Sequence, residues 1–268
     1  MVILPTFIVV LQACENFGQI RLVLAKDLTS GIYSKCLIHD LLKGAIRMLN
    51  GGNVSADIEF NKNGCTFCNR TEITYILKET PNFLLAADHA PLVEGHILII
   101  PKQHFTCYGE VPAELDTELF SMKHEVQRFF TRYYAPTVFW EHGIFKQTVF
   151  HAHLHCFPWG MSGYNLGENL HTIIVSSQEE VRQWFALQGH YFYMEDRNRA
   201  LLFAPEMDRY LGIVKNVFWR GIISRGGKVE WRSPQQRYEE GLPLIEAMIA
   251  KWRSFQDQGA GYVKNASQ

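Results

Sequence analysis

The sequence lacks an excess of charge of either sign. Its 268 residues carry 26 Lys and Arg against 27 Asp and Glu, so no whole-chain field draws it toward nucleic acid or an anionic membrane. It also lacks any apolar run long enough and free enough of charge to span a bilayer. Cysteine is sparse: of six, only Cys65 and Cys68 stand close together. That pattern in a chain this long does not make a disulfide framework, and points to a reducing, cytoplasmic compartment. Cys14, Cys36, Cys107 and Cys156 read as small buried apolar residues. A phosphate-binding glycine loop is missing too: Gly160 to Gly167 has the glycines without the strand and helix around them, and reads as a hinge or lid. No Lys or Arg precedes the short apolar run at Met1 to Leu11, so this stretch is expected to be a strand rather than a lipid-modified leader.

What is present is the composition of a folded protein, 47% hydrophobic and 13% aromatic, with enough length for one or two domains. Apolar runs at Phe7 to Leu11 and Ile20 to Leu24, around the polar Glu15-Asn16-Phe17-Gly18, predict a hairpin. Leu37, Ile38, Leu41, Leu42, Ala45, Ile46 and Leu49 recur at helical spacing before Gly51-Gly52. Asn53 to Asn63 reads as a linker. Strands are expected at Thr74 to Leu77, Asn82 to Ala87, His96 to Ile100, Thr137 to Trp140 and Gln147 to Phe157. Between the third and fourth runs a helix at Pro112 to Tyr134 carries the stripe Leu115, Leu119, Met122, Val126, Phe129 and Tyr133. After Pro158 come a helix near Gln178 to Leu187, a hairpin from Tyr191 to Met194 and Ala200 to Phe203, helices near Met207 to Ser224 and Gln235 to Phe255, and a disordered tail from Gly259. The expected fold is α+β, a mainly antiparallel sheet with one long helix and extensions at both ends. The expected division is an accessory piece at 1–60, a catalytic domain at 61–160 and an α/β extension at 161–268.

The stretch Gln147-Thr148-Val149-Phe150-His151-Ala152-His153-Leu154-His155-Cys156-Phe157 concentrates the chemistry. Histidines at alternate positions of a strand share one face, about 6.6 Å apart, where they can bracket a small anion or turn one ring to a separate site. Three imidazoles on one face also fit a plain metal cluster. Cys65-Thr66-Phe67-Cys68 has the spacing of half a zinc site, although two buried thiols would read the same way.

Together with Glu94-Gly95-His96-Ile97-Leu98-Ile99-Ile100-Pro101-Lys102-Gln103-His104, these stretches resemble the histidine triad superfamily of nucleotide hydrolases and nucleotidyltransferases. The resemblance covers Cys65 to Pro158, about a third of the chain. It implies a HIT-like fold for that region. It also implies a structural Zn²⁺ held by Cys65, Cys68, His104 and His151, as in the zinc-bearing branch that the galactose-1-phosphate uridylyltransferases resemble. His153 would be the nucleophile, forming a nucleotidyl-histidine intermediate. His155 would contact the phosphate or the departing oxygen, and His96 would support the triad. Asp88 would accept from ribose hydroxyls, His89 would stand at the base wall, and Gln147 and Thr148 would hold phosphate oxygens. His39, His89, His124, His142, His171 and His190 are not expected to bind metal.

Two positions depart from the pattern. Glu141 stands where many members have Asn before Gly143, and Pro158-Trp159 replaces a frequent Pro-Arg, removing a cation. The function implied is a nucleotide hydrolase or nucleotidyltransferase acting at an α-phosphate. The alternatives are a dinucleoside polyphosphate phosphorylase or uridylyltransferase-like enzyme, and a zinc-stabilised nucleotide-binding protein without turnover. The partner implied is a nucleotide or nucleotidylated small molecule, with a homodimer among the assemblies. Nucleic acid and membrane are not expected partners.

Overall fold

A computed structural model describes residues 10–12, 21–23, 64–160, 172–230 and 233–265. The chain divides into two compact units, Met1–Ile58 and Glu59–Gln268. In the first, β1 (Val10–Gln12) pairs antiparallel with β2 (Arg21–Val23), Val10 opposite Val23. The helix expected at Leu37 to Leu49, the linker after it and most of the glycine-rich segment after Pro158 lie outside the described residues.

In the second unit the strands are β3 (Ile76–Glu79), β4 (Phe83–Ala87), β5 (Ile97–Pro101), β6 (Val138–Glu141), β7 (Leu154–Phe157), β8 (Thr172–Val175), β9 (Phe192–Glu195) and β10 (Ala200–Phe203). They form one sheet in the order β3-β4-β5-β7-β6-β9-β10-β8, each pair antiparallel. The architecture is α+β. The strands after Pro158 continue the same sheet, because β9 pairs along the outer side of β6 with Trp140 opposite Met194. The strand β8 is not among those the sequence reading names. Its four-residue run Thr172-Ile173-Ile174-Val175 is β-branched throughout, a signal that its shortness hides.

The long helix α1 (Asp116–Tyr133) buries Leu119, Met122, Val126 and Phe129 against Leu85, Ile97, Ile99, Phe139, Leu154 and Cys156 of the sheet. Its charged Lys123 is buried beneath this face, ion-paired to Glu195 of β9 with its ammonium 4.8 Å from the centre of the Phe139 ring. That pair ties α1 to a strand that follows Pro158. Helix α2 (Gln178–Gln188) is capped by the Ser177 hydroxyl at its start and by Gly189, at φ 78°, at its end. On the opposite face of the sheet, α3 (Met207–Ile213), a π-helical turn (Val214–Phe218) and α4 (Trp219–Ser224) pack Ile213, Val217, Phe218 and Ile222 on Trp140, Phe157, Phe192 and Met194. The last helix, α5, runs from Pro234 to Asn265, well into the tail expected to be disordered. Its Trp252 is buried against Phe129 and donates its indole N–H to the carbonyl of Leu77.

One expectation is corrected in part. The regular strand of the histidine stretch is only Leu154–Phe157, because β5 pairs with β7 no further than Ile99 opposite Leu154. Before that point other partners hold the backbone: Ala152 N–H donates to Phe105 O at 2.6 Å, and the His151 carbonyl accepts from Gln147 and His153 side chains. His151 and His153 therefore sit on an irregular approach to the strand rather than in it.

Candidate active site and metal cluster

Four side chains from three segments converge at one end of the histidine stretch. Cys65 and Cys68 lie in a turn closed by Cys68 N–H to Cys65 O at 3.1 Å; His104 follows the end of β5, and His151 precedes β7. Cys65 Sγ is 3.4 Å from His151 Nδ1, and Cys68 Sγ is 3.2 Å from His104 Nδ1 and 3.5 Å from His151 Nδ1. All four donor atoms lie within 4.8 Å of one another. A tetrahedral ion bound at about 2.3 Å to sulfur and about 2.0 Å to nitrogen would separate those ligands by about 3.5 Å, so the spacing fits. The His151 ring is fixed by its other nitrogen: Nε2 lies 2.7 Å from the carbonyl of Pro101. A carbonyl only accepts, so Nε2 carries the proton and Nδ1 turns its lone pair toward the thiols.

Beyond the cluster lies a cavity of about 840 Å³ whose lining includes Asp88, His89, His96, Thr148, His153 and His155. Phe67 of the Cys turn joins the two regions, its ring edge-on to His151 at 5.8 Å and to His153 at 5.3 Å. The Nδ1 of His153 lies 2.6 Å from the carbonyl of His151. By the same logic Nδ1 is the protonated nitrogen, and the lone pair is on Nε2. His96 is set differently. Its Nδ1 receives the N–H of Leu92 at 3.4 Å, so its Nε2 carries the proton toward His155 Nδ1 at 2.9 Å. That leaves the proton of His155 on its own Nε2. Burial lowers the pKa of His96, His153 and His155, with Asp88, 3.6 Å from His96, opposing the shift at His96. Burial likewise takes His142, which also lines the cavity, down to about 4. The row is neutral near pH 7.

Gln147 does not line the cavity. Its amide oxygen accepts from Ile144 N–H at 3.2 Å, and its nitrogen donates to His151 O at 2.6 Å and to Thr106 O at 3.2 Å. It braces the carbonyl that orients His153. Asp88 accepts from Ala90 N–H through one oxygen and faces His96 with the other. His89 is exposed at the rim, 6.2 Å from the ring of Tyr238 on α5.

Glu141 turns away from the cavity. Trp140 beside it faces the cavity, so the pleat sends Glu141 to the other side. There it is buried and accepts from Tyr108 N–H and Tyr191 O–H, both at 2.7 Å. Burial pushes its pKa up to about 7. The next turn is tight: Gly143 has φ 50°, and a Cβ there would meet Tyr191 O at 2.3 Å. Ile144 and Lys146 follow at φ 82° and 58°, strained conformations for non-glycine residues.

The sequence reading does not anticipate the aromatic wall beside the histidines. Trp140, Tyr210, Val214, Phe218, Trp219 and Ile222 all line the cavity, and five of the six come from the segment after Pro158. The departure at Trp159 packs behind this wall. Its ring stacks on Phe157 at 4.0 Å and meets Phe218 edge-on at 5.1 Å, so the residue read from the sequence as the loss of a cation is part of an aromatic stack.

Fold and site define an α+β protein in which a row of neutral imidazoles, buried or half-buried, lies in a cavity beside a Cys/His cluster of metal-ligand geometry. Residues 70–160, about a third of the chain, match the family model described as the HIT domain. No curated protein matches the chain. Among solved structures it is similar to a Zn-bound histidine triad family protein from Mycobacterium smegmatis, at 25% identity over 48% of this chain and 97% of that one, with a TM-score of 0.33. It is similar also to a HIT family protein from Bacillus anthracis, at 27% identity over 44% and 86%, TM-score 0.33, and to a HIT family hydrolase from Clostridium thermocellum, at 25% over 35% and 88%, TM-score 0.30.

Proposed function

We propose that the protein is a nucleotide hydrolase or nucleotidyltransferase that acts at an α-phosphate through a nucleotidyl intermediate on His153. The observation that carries this reading is the hydrogen bond from His153 Nδ1 to the His151 carbonyl. It holds the tautomer whose Nε2 lone pair can attack phosphorus, and it supports the positive charge that develops on the ring. Attack forms the Nε2–phosphorus bond as the bond to the leaving group breaks. His155, with its proton on Nε2, donates a hydrogen bond that stabilises charge on the departing atom, which takes its proton from solvent. Water or another acceptor then attacks the same phosphorus, the phosphorus–nitrogen bond breaks to return neutral His153, and the acceptor's proton passes to solvent. Asp88 and Thr148 place the sugar and the phosphate, and Gln147 acts on the phosphate indirectly, by holding His151 and His153 in place. Catalysis of this kind rests on positioning and charge stabilisation.

Cys65, Cys68, His104 and His151 would hold a Zn²⁺. With four protein ligands the site leaves no position for water, so the ion would supply a cross-link and no chemistry. Such a link would pin the Cys turn, the end of β5 and the start of the triad to one point.

The test is rapid quenching with nucleotides labelled at the α-phosphate, held at neutral to alkaline pH and followed by peptide mapping. Label on the peptide bearing His153, lost together with turnover in His153→Ala, is the expected result. Full activity in His153→Ala with no labelled histidine would refute the mechanism and leave a nucleotide-binding protein.

A further inference from the structure

The turn after β6 presents one more imidazole to the histidine row. Side chains along β6 and the residue after it alternate between the two sides of the sheet, so Glu141 is buried behind it while Trp140 and His142 both line the cavity. Glu141 accepts from Tyr108 N–H and Tyr191 O–H, which fixes the end of the strand. After His142 the backbone takes left-handed conformations at three of four residues, Gly143 at φ 50°, Ile144 at 82° and Lys146 at 58°. The two that are not glycine are strained, and such strain persists only where the surroundings over-determine it, commonly at functional sites. The turn so formed brings the Phe145 carbonyl to 3.1 Å from His142 Nδ1.

That contact sets the tautomer. A carbonyl only accepts, so Nδ1 carries the proton and the lone pair of His142 is on Nε2. The ring is half-buried, and Nε2 makes no hydrogen bond among the described residues, so the lone pair is open to the cavity. Trp140 meets the ring edge-on at 5.7 Å and Tyr210 lies 6.0 Å away, holding it in place. The ring stands edge-on to His155 at 5.8 Å, and His155 to His153 at 4.9 Å. Of the row His96, His153, His155 and His142, two members turn a proton outward: His96 toward His155, and His155 toward the cavity. His153 loses its lone pair when Nε2 bonds to phosphorus. His142 then holds the one free lone pair in the row.

We infer that His142 is the proton acceptor of the second step, an inference that rests on the nucleotide reading of the same site. As water or another acceptor attacks the nucleotidyl group on His153, its oxygen bonds to phosphorus, the phosphorus–nitrogen bond breaks, and its proton moves to His142 Nε2. His153 returns neutral, and His142 passes the proton on to solvent. Burial keeps the His142 ring neutral and able to accept, its pKa down to about 4, and a phosphate anion beside it would raise that value. Glu141, the departure from the family pattern, then serves the site from behind the sheet, by anchoring the strand end from which His142 projects.

The experiment separates the two steps in the full-length chain and in its His142→Ala and His142→Gln variants. The probes are the 4-nitrophenyl esters of the four common ribonucleoside 5′-monophosphates, labelled at phosphorus. Their nitrophenolate departs without a proton, so its first-turnover burst reads the attack by His153, and decay of label on the His153 peptide reads the second step. Both variants are expected to keep the burst rate within about twofold, while decay by water slows about 100-fold, the lower end of what a positioned base contributes. Decay is measured again with fluoride, which brings no proton: it bonds to phosphorus as the phosphorus–nitrogen bond breaks, and should act equally fast in all three chains. A burst slowed as much as the decay in both variants would make His142 structural and overturn the inference. So would an unchanged decay by water, or a fluoride decay slowed as much as that by water. In each of those cases label on His153 of the unaltered chain leaves the nucleotide reading standing. If the unaltered chain gives neither burst nor labelled His153 with any of the esters, that reading fails and the role of His142 fails with it.

Discussion

Replacing Glu141 by glutamine should remove a pH-dependent cost that this carboxyl imposes on the fold. The side chain is 3% exposed and its pKa is raised from 4.5 to about 7 by burial, against two hydrogen bonds that lower it. The folded state therefore holds a proton that the unfolded chain has already released. Between those two values the folded form binds more protons than the unfolded one, so stability falls as pH rises through the window. At about 1.4 kcal/mol for each pH unit the full loss is on the order of 3 kcal/mol, complete above about pH 7 and absent below pH 4.5. The substituted amide would keep the shape and a carbonyl acceptor for Tyr108 N–H, while the Tyr191 hydroxyl can turn to accept from the new N–H. Other groups titrate in the same range in the opposite sense. His142, lowered to about 4 by burial, takes up its proton only on unfolding, and so adds stability as pH rises. Comparing the two proteins cancels such terms. Urea unfolding followed by tryptophan fluorescence at steps from about pH 5 to about pH 8 should show Glu141→Gln gaining about 2 to 3 kcal/mol relative to the unaltered protein across that span. A difference that stays flat with pH would refute the argument that Glu141 is buried and protonated at the lower end.

Protein purified without added metal is expected to contain about one Zn²⁺ per chain. Cys65→Ser should lose the ion and lower the unfolding midpoint more than it alters the chemical step, and a folded, active protein free of zinc would rule the site out. Gly221→Ala should destabilise the protein by about 1 to 3 kcal/mol in urea unfolding, because its methyl group would enter the Trp159 ring; a neutral effect would mean that α4 is not seated on Trp159. His155→Ala should slow turnover less than His153→Ala does, since it removes a hydrogen bond to the departing atom and not the nucleophile. Single-turnover rates of the two variants check the order, and the reverse order would exchange their roles.

The sequence by itself determined the parts that depend on spacing along the chain. The stripe from Leu119 to Phe129 gave a helix facing the core, short apolar runs bounded by turn residues gave the strands β3 to β7, and the matched Cys and His motifs brought together Cys65, Cys68, His104 and His151 as well as His96, His153 and His155. Motifs of this kind are legible because each residue's chemistry and offset is printed in the chain. The tertiary structure decided what depends on contacts between distant segments. Glu141 could be assigned a face only once β9 and Tyr191 were in place, and Gln147 turned out to brace a carbonyl because the backbone from Gln147 to His153 leaves the regular ladder. Trp159, which reads in sequence as a cation lost, is the surface on which Gly221 and Phe218 seat α4. The aromatic wall from Tyr210 to Trp219 has no motif, since its residues reach the histidines only through the pairing of β9 with β6. That pairing joins segments far apart in the chain, and periodicity along the sequence carries no information about it.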